Sequence, residues 1–177
     1  MRFSKTLAAI FLCATTLTLQ PPTVNAAALR ASQKPRAKAQ TPAPQTEITK
    51  EKIEAIIAAI HQAAKKRDVA LIIPHLAPDF TCKSQAGDKP ASYVNRAQYV
   101  QNIKLAFELA VDYTYLIKSL NITIAPDGQT ATAQSEIFEM VTFAQGTVAA
   151  NVTSIATFKI YKGKVVLAST DGTVTYV

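Results

Sequence analysis

A chain of 177 residues, 49% of them hydrophobic, is long enough for one domain with a sizeable core. Its formal charge of +7 is unevenly placed: Arg2, Lys5, Arg30, Lys34, Arg36 and Lys38, six of nineteen basic residues, precede Glu47, leaving thirteen to face twelve acidic residues. The part that folds is nearly neutral, which excludes a nucleic-acid groove built on the domain itself.

Residues 1–26 read as a leader. "MRFSK" carries Arg2 and Lys5, Thr6 to Leu19 is an uncharged apolar run, and "VNA" ends at Ala26 with the small residues a signal peptidase requires. The run is too short to span a bilayer and no second one follows, so the reading is export to the periplasm or the extracellular space, with no transmembrane segment. Cys13 leaves with the leader and Cys82 stays alone, so the mature chain has no internal disulfide and Cys82 is expected as a small buried hydrophobe. Residues 27–46, with Pro35, Pro42 and Pro44 and almost no large apolar side chain, form a Pro/Ala/Lys-rich linker whose cationic half suits contact with an anionic surface.

The domain is expected over 47–177. Ile48, Ile53, Ile56, Ile57 and Ile60 recur near the helical period, Thr49 is placed to cap, and Lys65, Lys66 and Arg67 complement the helix C-terminus. Val69 to Leu76, interrupted by Pro74, predicts a turn or two of helix. "KSQAGDKPAS" predicts a loop, and Ser92 to Ala110 a second long helix with Tyr99, Ile103 and Phe107 on one face. Beyond Ala110 the period falls to two: strands are predicted over 113–124, 131–143, 148–160 and 165–176, joined by "APDGQT", "AQGT" and "YKGK" as an antiparallel meander. Helices followed by such a sheet make an α+β domain.

"RDVALIIPHLAPDFTC" after a helix, a third helical segment, and a meander with "PDGQTATA" in its first hairpin together resemble the nuclear transport factor two-like superfamily, which includes the SnoaL-like and ketosteroid-isomerase-like proteins. The resemblance runs from about Thr49 to Val177. It implies N-terminal helices packed on the concave face of a strongly bent antiparallel sheet, a cone open at one end. It also makes Asp68 and Asp79 structural acids capping backbone amides. Isomerase chemistry needs an Asp base and a Tyr; the matching positions hold Ser84 and Ile60, so that activity is not expected.

Hairpin registers follow from the apolar faces, which must coincide when strands pair. They predict Phe143 opposite Val148, Ile160 opposite Val165, Ile124 opposite Ala131, Ala133 opposite Phe158 and Phe158 opposite Leu167. That register puts Lys118, Ile137, Ser154 and Asp171 in one row, with Glu139 and Ser169 one step along, all facing the concavity among Leu116, Leu120, Ile122, Val152 and Leu167. Unpaired buried charges cost several kcal/mol, so these must pair, turn outward at a bulge, or meet water or ligand. Lys118, Glu139, Ser154, Ser169, Asp171 and Tyr99 are therefore the candidate ligand-binding residues, and Glu139 and Asp171 the candidate bases. Tyr93, Tyr99, Tyr113 and Tyr115 read first as packing. His61 falls on the polar side of the first helix and His75 in the turn, without an acidic cluster. No zinc spacing, phosphate loop or triad occurs, so neither metal nor cofactor is expected. The preferred function is an exported non-catalytic module holding a small apolar or amphipathic ligand or a partner chain, with Phe138, Met140 and Thr142 giving the outer sheet face a homodimer patch. The alternative is a SnoaL-like lyase, cyclase or isomerase with a buried carboxylate as base.

Overall fold

The Thr49 hydroxyl accepts the Lys52 backbone N–H at 3.3 Å and opens helix α1, Lys50–Lys66. Its isoleucines face inward: Ile53 and Ile56 are buried, and Ile57 and Ile60 pack on the same core. The computed structural model describes residues 47–177, so the leader and linker read from the sequence lie outside the described residues. The helix stops where Arg67 takes left-handed backbone angles (φ 55), and the Arg67 guanidinium donates 2.7 Å to the Ala110 carbonyl, tying the helix end to the sheet.

Asp68 accepts the Ala70 N–H at 2.9 Å, which starts two 3-10 turns, Val69–Leu71 and Ile73–His75. Asp68 thus has the expected capping role. Asp79 differs: its carboxylate pairs with Lys159 at 2.6 Å across the sheet.

The segment expected as a loop is one only over 87–91, and strand on either side. β1 runs Leu76–Ala86 with Phe80, Cys82, Ser84 and Ala86 buried in alternation, and turns back into β2, Ser92–Asn95. Helix α2, Arg96–Leu109, accordingly starts four residues later than expected, at a capping box in which Asn95 accepts from the Gln98 N–H and Gln98 accepts from the Asn95 N–H, both at 3.0 Å. Four long strands follow: β3 Ala110–Ile124, β4 Thr130–Phe143, β5 Gly146–Tyr161 and β6 Lys164–Tyr176.

All six strands form one sheet in the order β2-β1-β6-β5-β4-β3, antiparallel except that β1 lies parallel to β6. Helices α1 and α2 cover its inner face. Ile53, Tyr99 and Ile103 of the helices meet Phe80, Val141 and Phe158 of the sheet there in one apolar core. Among the described residues, no helix is long and apolar enough to cross a membrane.

Three predicted pairs hold: Ile124 with Ala131, Ile160 with Val165 and Phe158 with Leu167. The β5–β6 hairpin closes on Lys162 and Gly163, both at positive φ (49 and 75), the geometry that matches strand twist. The β4–β5 hairpin is tighter than expected. Phe143 pairs with Gly146 and Val141 with Val148, so Ala131 rather than Ala133 faces Phe158, a displacement of two that keeps every side chain on its face.

Two bulges change faces instead. The β3–β4 register steps between Ile117 and Ser119, leaving Lys118 over, and the β5–β6 register steps at Leu167 to Ser169, leaving Ala168 over. Each extra residue reverses the alternation beyond it. Leu116, expected inside, is 62% exposed on the outer face, and Tyr113 and Tyr115 take the inner positions.

Candidate functional site

The bulge at Lys118 brings Tyr113 and Tyr115 into the core beside Glu139 of β4, whose strand partner is Tyr115. Glu139 is buried, and the Tyr113 hydroxyl donates to its Oε1 at 2.8 Å. From α1, His61 enters on the same side: its Nδ1 lies 3.4 Å from the Tyr113 hydroxyl, and its ring stacks on Tyr115 with centroids 4.2 Å apart. Lys65, one turn on, holds its ammonium 5.5 Å from the centroid of Tyr115.

His61 was expected on the polar side of α1. It stands four residues after Ile57 and eight after Ile53, which puts it on the isoleucine face.

Burial governs the electrostatics. It pushes the Glu139 carboxyl up to about 7, against the opposing pull of the Tyr113 hydrogen bond, which favours the carboxylate. The same cause lowers His61 to about 4, so the imidazole is neutral near pH 7. Tyr113 is raised well above its ordinary value, by burial first and by the neighbouring Glu139 charge second. The cluster is therefore a carboxyl close to half-protonated at neutral pH, a phenol that stays protonated and a neutral imidazole. It can hold or pass one proton.

Space beside it is small. The inner cavity is about 50 Å³ and is lined by Ile57, Ile60, His61, Tyr99, Phe158 and Thr170 among others. Neither Glu139 nor Tyr113 lines it. Ser154 and Ser135 face it and bond to each other at 3.0 Å. The Thr170 hydroxyl is buried without a hydrogen-bond partner.

The predicted site residues divide accordingly. Glu139, Ser154 and Tyr99 are on the inner side; Tyr99 is buried on α2 with its ring 4.9 Å from Phe80. Lys118, Ser169 and Asp171 are not, because the two bulges turn them outward. Lys118 donates to Asn151 at 2.6 Å and to Glu136 at 3.3 Å, and Asp171 pairs with Lys83 at 2.7 Å, all on the outer face. The coupled row of Lys118, Glu139 and Asp171 does not form. Tyr113 and His61 were not among the candidates; Tyr113 is the group that bonds Glu139, and His61 reaches the cluster through the Tyr113 hydroxyl. Among the described residues, no three His, Cys, Asp or Glu side chains are grouped to hold a metal.

No family model and no curated protein matches the chain. Solved structures do. A proposed aromatic ring hydroxylase from Novosphingobium aromaticivorans superimposes with a TM-score of 0.61 at 14% identity, over 78% of this chain and 92% of that one. A proposed dehydratase of the nuclear transport factor two-like family from Streptomyces avermitilis gives 0.59 at 14% identity, over 72% and 94%. A proposed calcium/calmodulin-dependent protein kinase II association domain from Xanthomonas campestris gives 0.56 at 11% identity, over 68% and 84%. The chain has the nuclear transport factor two-like cone fold, as its sequence resemblance implied.

Proposed function

We propose that this domain is an exported, non-catalytic association module that binds a second copy of itself through the sheet. One observation carries the reading: the cavity on the inner face is small. A cavity of about 50 Å³ is far below the roughly 300–1,000 Å³ of small-molecule sites, and the buried carboxyl beside it is held by Tyr113 rather than presented to a substrate. The apolar surface lies outside instead, where Leu116 is 62% exposed next to Phe138 and Met140 at one end of β3 and β4. The solved relative named as an association domain shares the fold and supports this use of it. Light scattering on the mature chain tests the proposal: a dimer is expected, Met140→Asp shifts it to monomer by burying a charge in the interface, and a monomeric wild type overturns it. Export rests on the apolar leader, and the N-terminal sequence of secreted protein, expected to begin at Ala27, tests that part.

A lyase or cyclase using Glu139 as base is favoured by the burial of that carboxyl beside Tyr113, which pushes it up to about 7, where general bases work. It requires the inner face to open. A substrate analogue that moved the His61 ring resonances would favour it over association.

A further inference from the structure

At the end away from Leu116 the outer face of the sheet is mostly polar, interrupted at its centre by Ile155, which is 44% exposed. The register sets Asn121, Gln134, Ile155, Asp171, Lys83 and Tyr93 in a single line over all six strands. The next line, two residues along each strand, is Thr123, Thr132, Thr157, Ser169 and Thr81. Neighbouring strands are about 4.8 Å apart, so the first line is roughly 24 Å long. Two surface grooves follow it, one of about 560 Å³ over β3 to β6 and one of about 440 Å³ over β6, β1 and β2, and both are lined by Asp171. They make one trough running across the strands.

The chemistry of this trough is specific. Its charges are matched in place, Lys83 with Asp171 at 2.7 Å and Lys118 with Glu136 at 3.3 Å, so it presents no net field to a charged polymer. What remains are the amides of Asn121 and Gln134, a ladder of hydroxyls, the apolar side chain of Ile155 at the centre and, at one end, Tyr93, 68% exposed. A pyranose ring offers the complement: hydroxyls around its rim for planar amides and carboxylates, and a C–H face for an aromatic ring. Sugar units joined in a line would meet successive strands.

We propose that this trough binds a neutral β-linked polysaccharide laid across the strands, with Tyr93 stacked on one sugar ring and Asn121, Gln134 and Asp171 hydrogen-bonding the hydroxyls of others. The site goes beyond the association reading and is separate from it in space. Met140 lies six residues along β4 from Gln134, roughly 20 Å at strand rise.

Co-sedimentation of the mature chain with insoluble cellulose and with chitin tests the site, at low and at high salt. Retention on at least one of the two is expected, with little dependence on salt. Tyr93→Ala, and separately the pair Asn121→Ala with Gln134→Ala, should each weaken retention by about fivefold or more, with unchanged thermal melting showing that the variants fold. Met140→Asp should bind as the wild type does, so light scattering reports on association and sedimentation on the trough. Absence of retention on both polymers overturns the proposal. So does retention abolished by salt, retention unaffected by Tyr93→Ala, or a dimer in which the Tyr93 ring is shielded and no polymer is held.

Discussion

Glu139 and His61 give the fold two opposed dependences on pH, and separating them is a stringent test of the buried cluster. Glu139 titrates at about 7 in the folded chain against 4.5 unfolded. The native state therefore keeps this proton longer; the associated stability is full below pH 4.5 and is lost as pH rises to 7. His61 titrates at about 4 against 6.5. Here the unfolded chain takes the proton first, so stability is full above pH 6.5 and is lost as pH falls to 4. Each pKa unit corresponds to about 1.4 kcal/mol, so each contribution is about 3 kcal/mol, and across pH 4.5–6.5 their slopes nearly cancel. In the wild type the Glu139 and His61 contributions should accordingly offset each other in that window by urea unfolding, leaving the rise with pH that His75, lowered by burial, supplies in all three proteins. Glu139→Gln keeps an acceptor for the Tyr113 hydroxyl and removes one slope: stability should now rise by about 3 kcal/mol from pH 4 to 6.5. His61→Phe keeps a ring on Tyr115 and should show the reverse, a fall of about 3 kcal/mol from pH 4.5 to 7. Exposed acids such as Asp79, held low by its hydrogen bond to Lys159, are common to all three proteins and cancel in the differences. A Glu139→Gln profile that superimposes on the wild type would refute the buried placement of the carboxyl.

Further expectations follow from the same geometry. Tyr113→Phe removes the donor to Glu139, which should move the Glu139 carboxyl above its position near 7 and cost about 1–3 kcal/mol, read by NMR titration and by denaturation. Lys118→Met should change stability by no more than about 0.5 kcal/mol at any pH, because Lys118 sits in an exposed pair with Glu136; a larger loss would return it to the interior. Phe158→Ala, at one of the largest fully buried side chains, should cost about 3–5 kcal/mol in unfolding free energy. Trimming to Thr46 should leave the melting temperature within about 2 °C, whereas trimming past Ile48, which is buried and donates its N–H to Gly128 at 3.2 Å, should lower it.

The helices and the meander were legible because their periods are long and clean: five isoleucines at helical spacing, then strands whose apolar residues alternate over a dozen positions. The inner site was not, because alternation was carried straight through two bulges. Their trace is nevertheless in the sequence. Along β3 the inward residues are Tyr113, Tyr115 and Ile117, then Leu120, Ile122 and Ile124, odd numbers giving way to even at Lys118. Along β6, Val165 and Leu167 give way to Thr170, Gly172 and Val174 in the same manner. A change of parity within one strand is the signature of one residue too many. The β1–β2 hairpin was hidden differently: its strands are polar enough to read as loop, and the pairing of β1 with β6, and of β2 with β1, rather than local preference makes them sheet.

The sheet order has a consequence for how the molecule is assembled. β6, the last strand in sequence, is wedged between β1, among the earliest, and β5. Until it is in place the N-terminal hairpin has no neighbour on which to zip, and the meander ends in an open edge at β5. The two halves of the sheet are thus synthesised far apart in time and are sewn together by the final dozen residues, a long-range closure of the kind that slows folding. Truncation inside β6 would leave two incomplete sheets with unpaired edges facing each other, and their expected fate is aggregation rather than partial function.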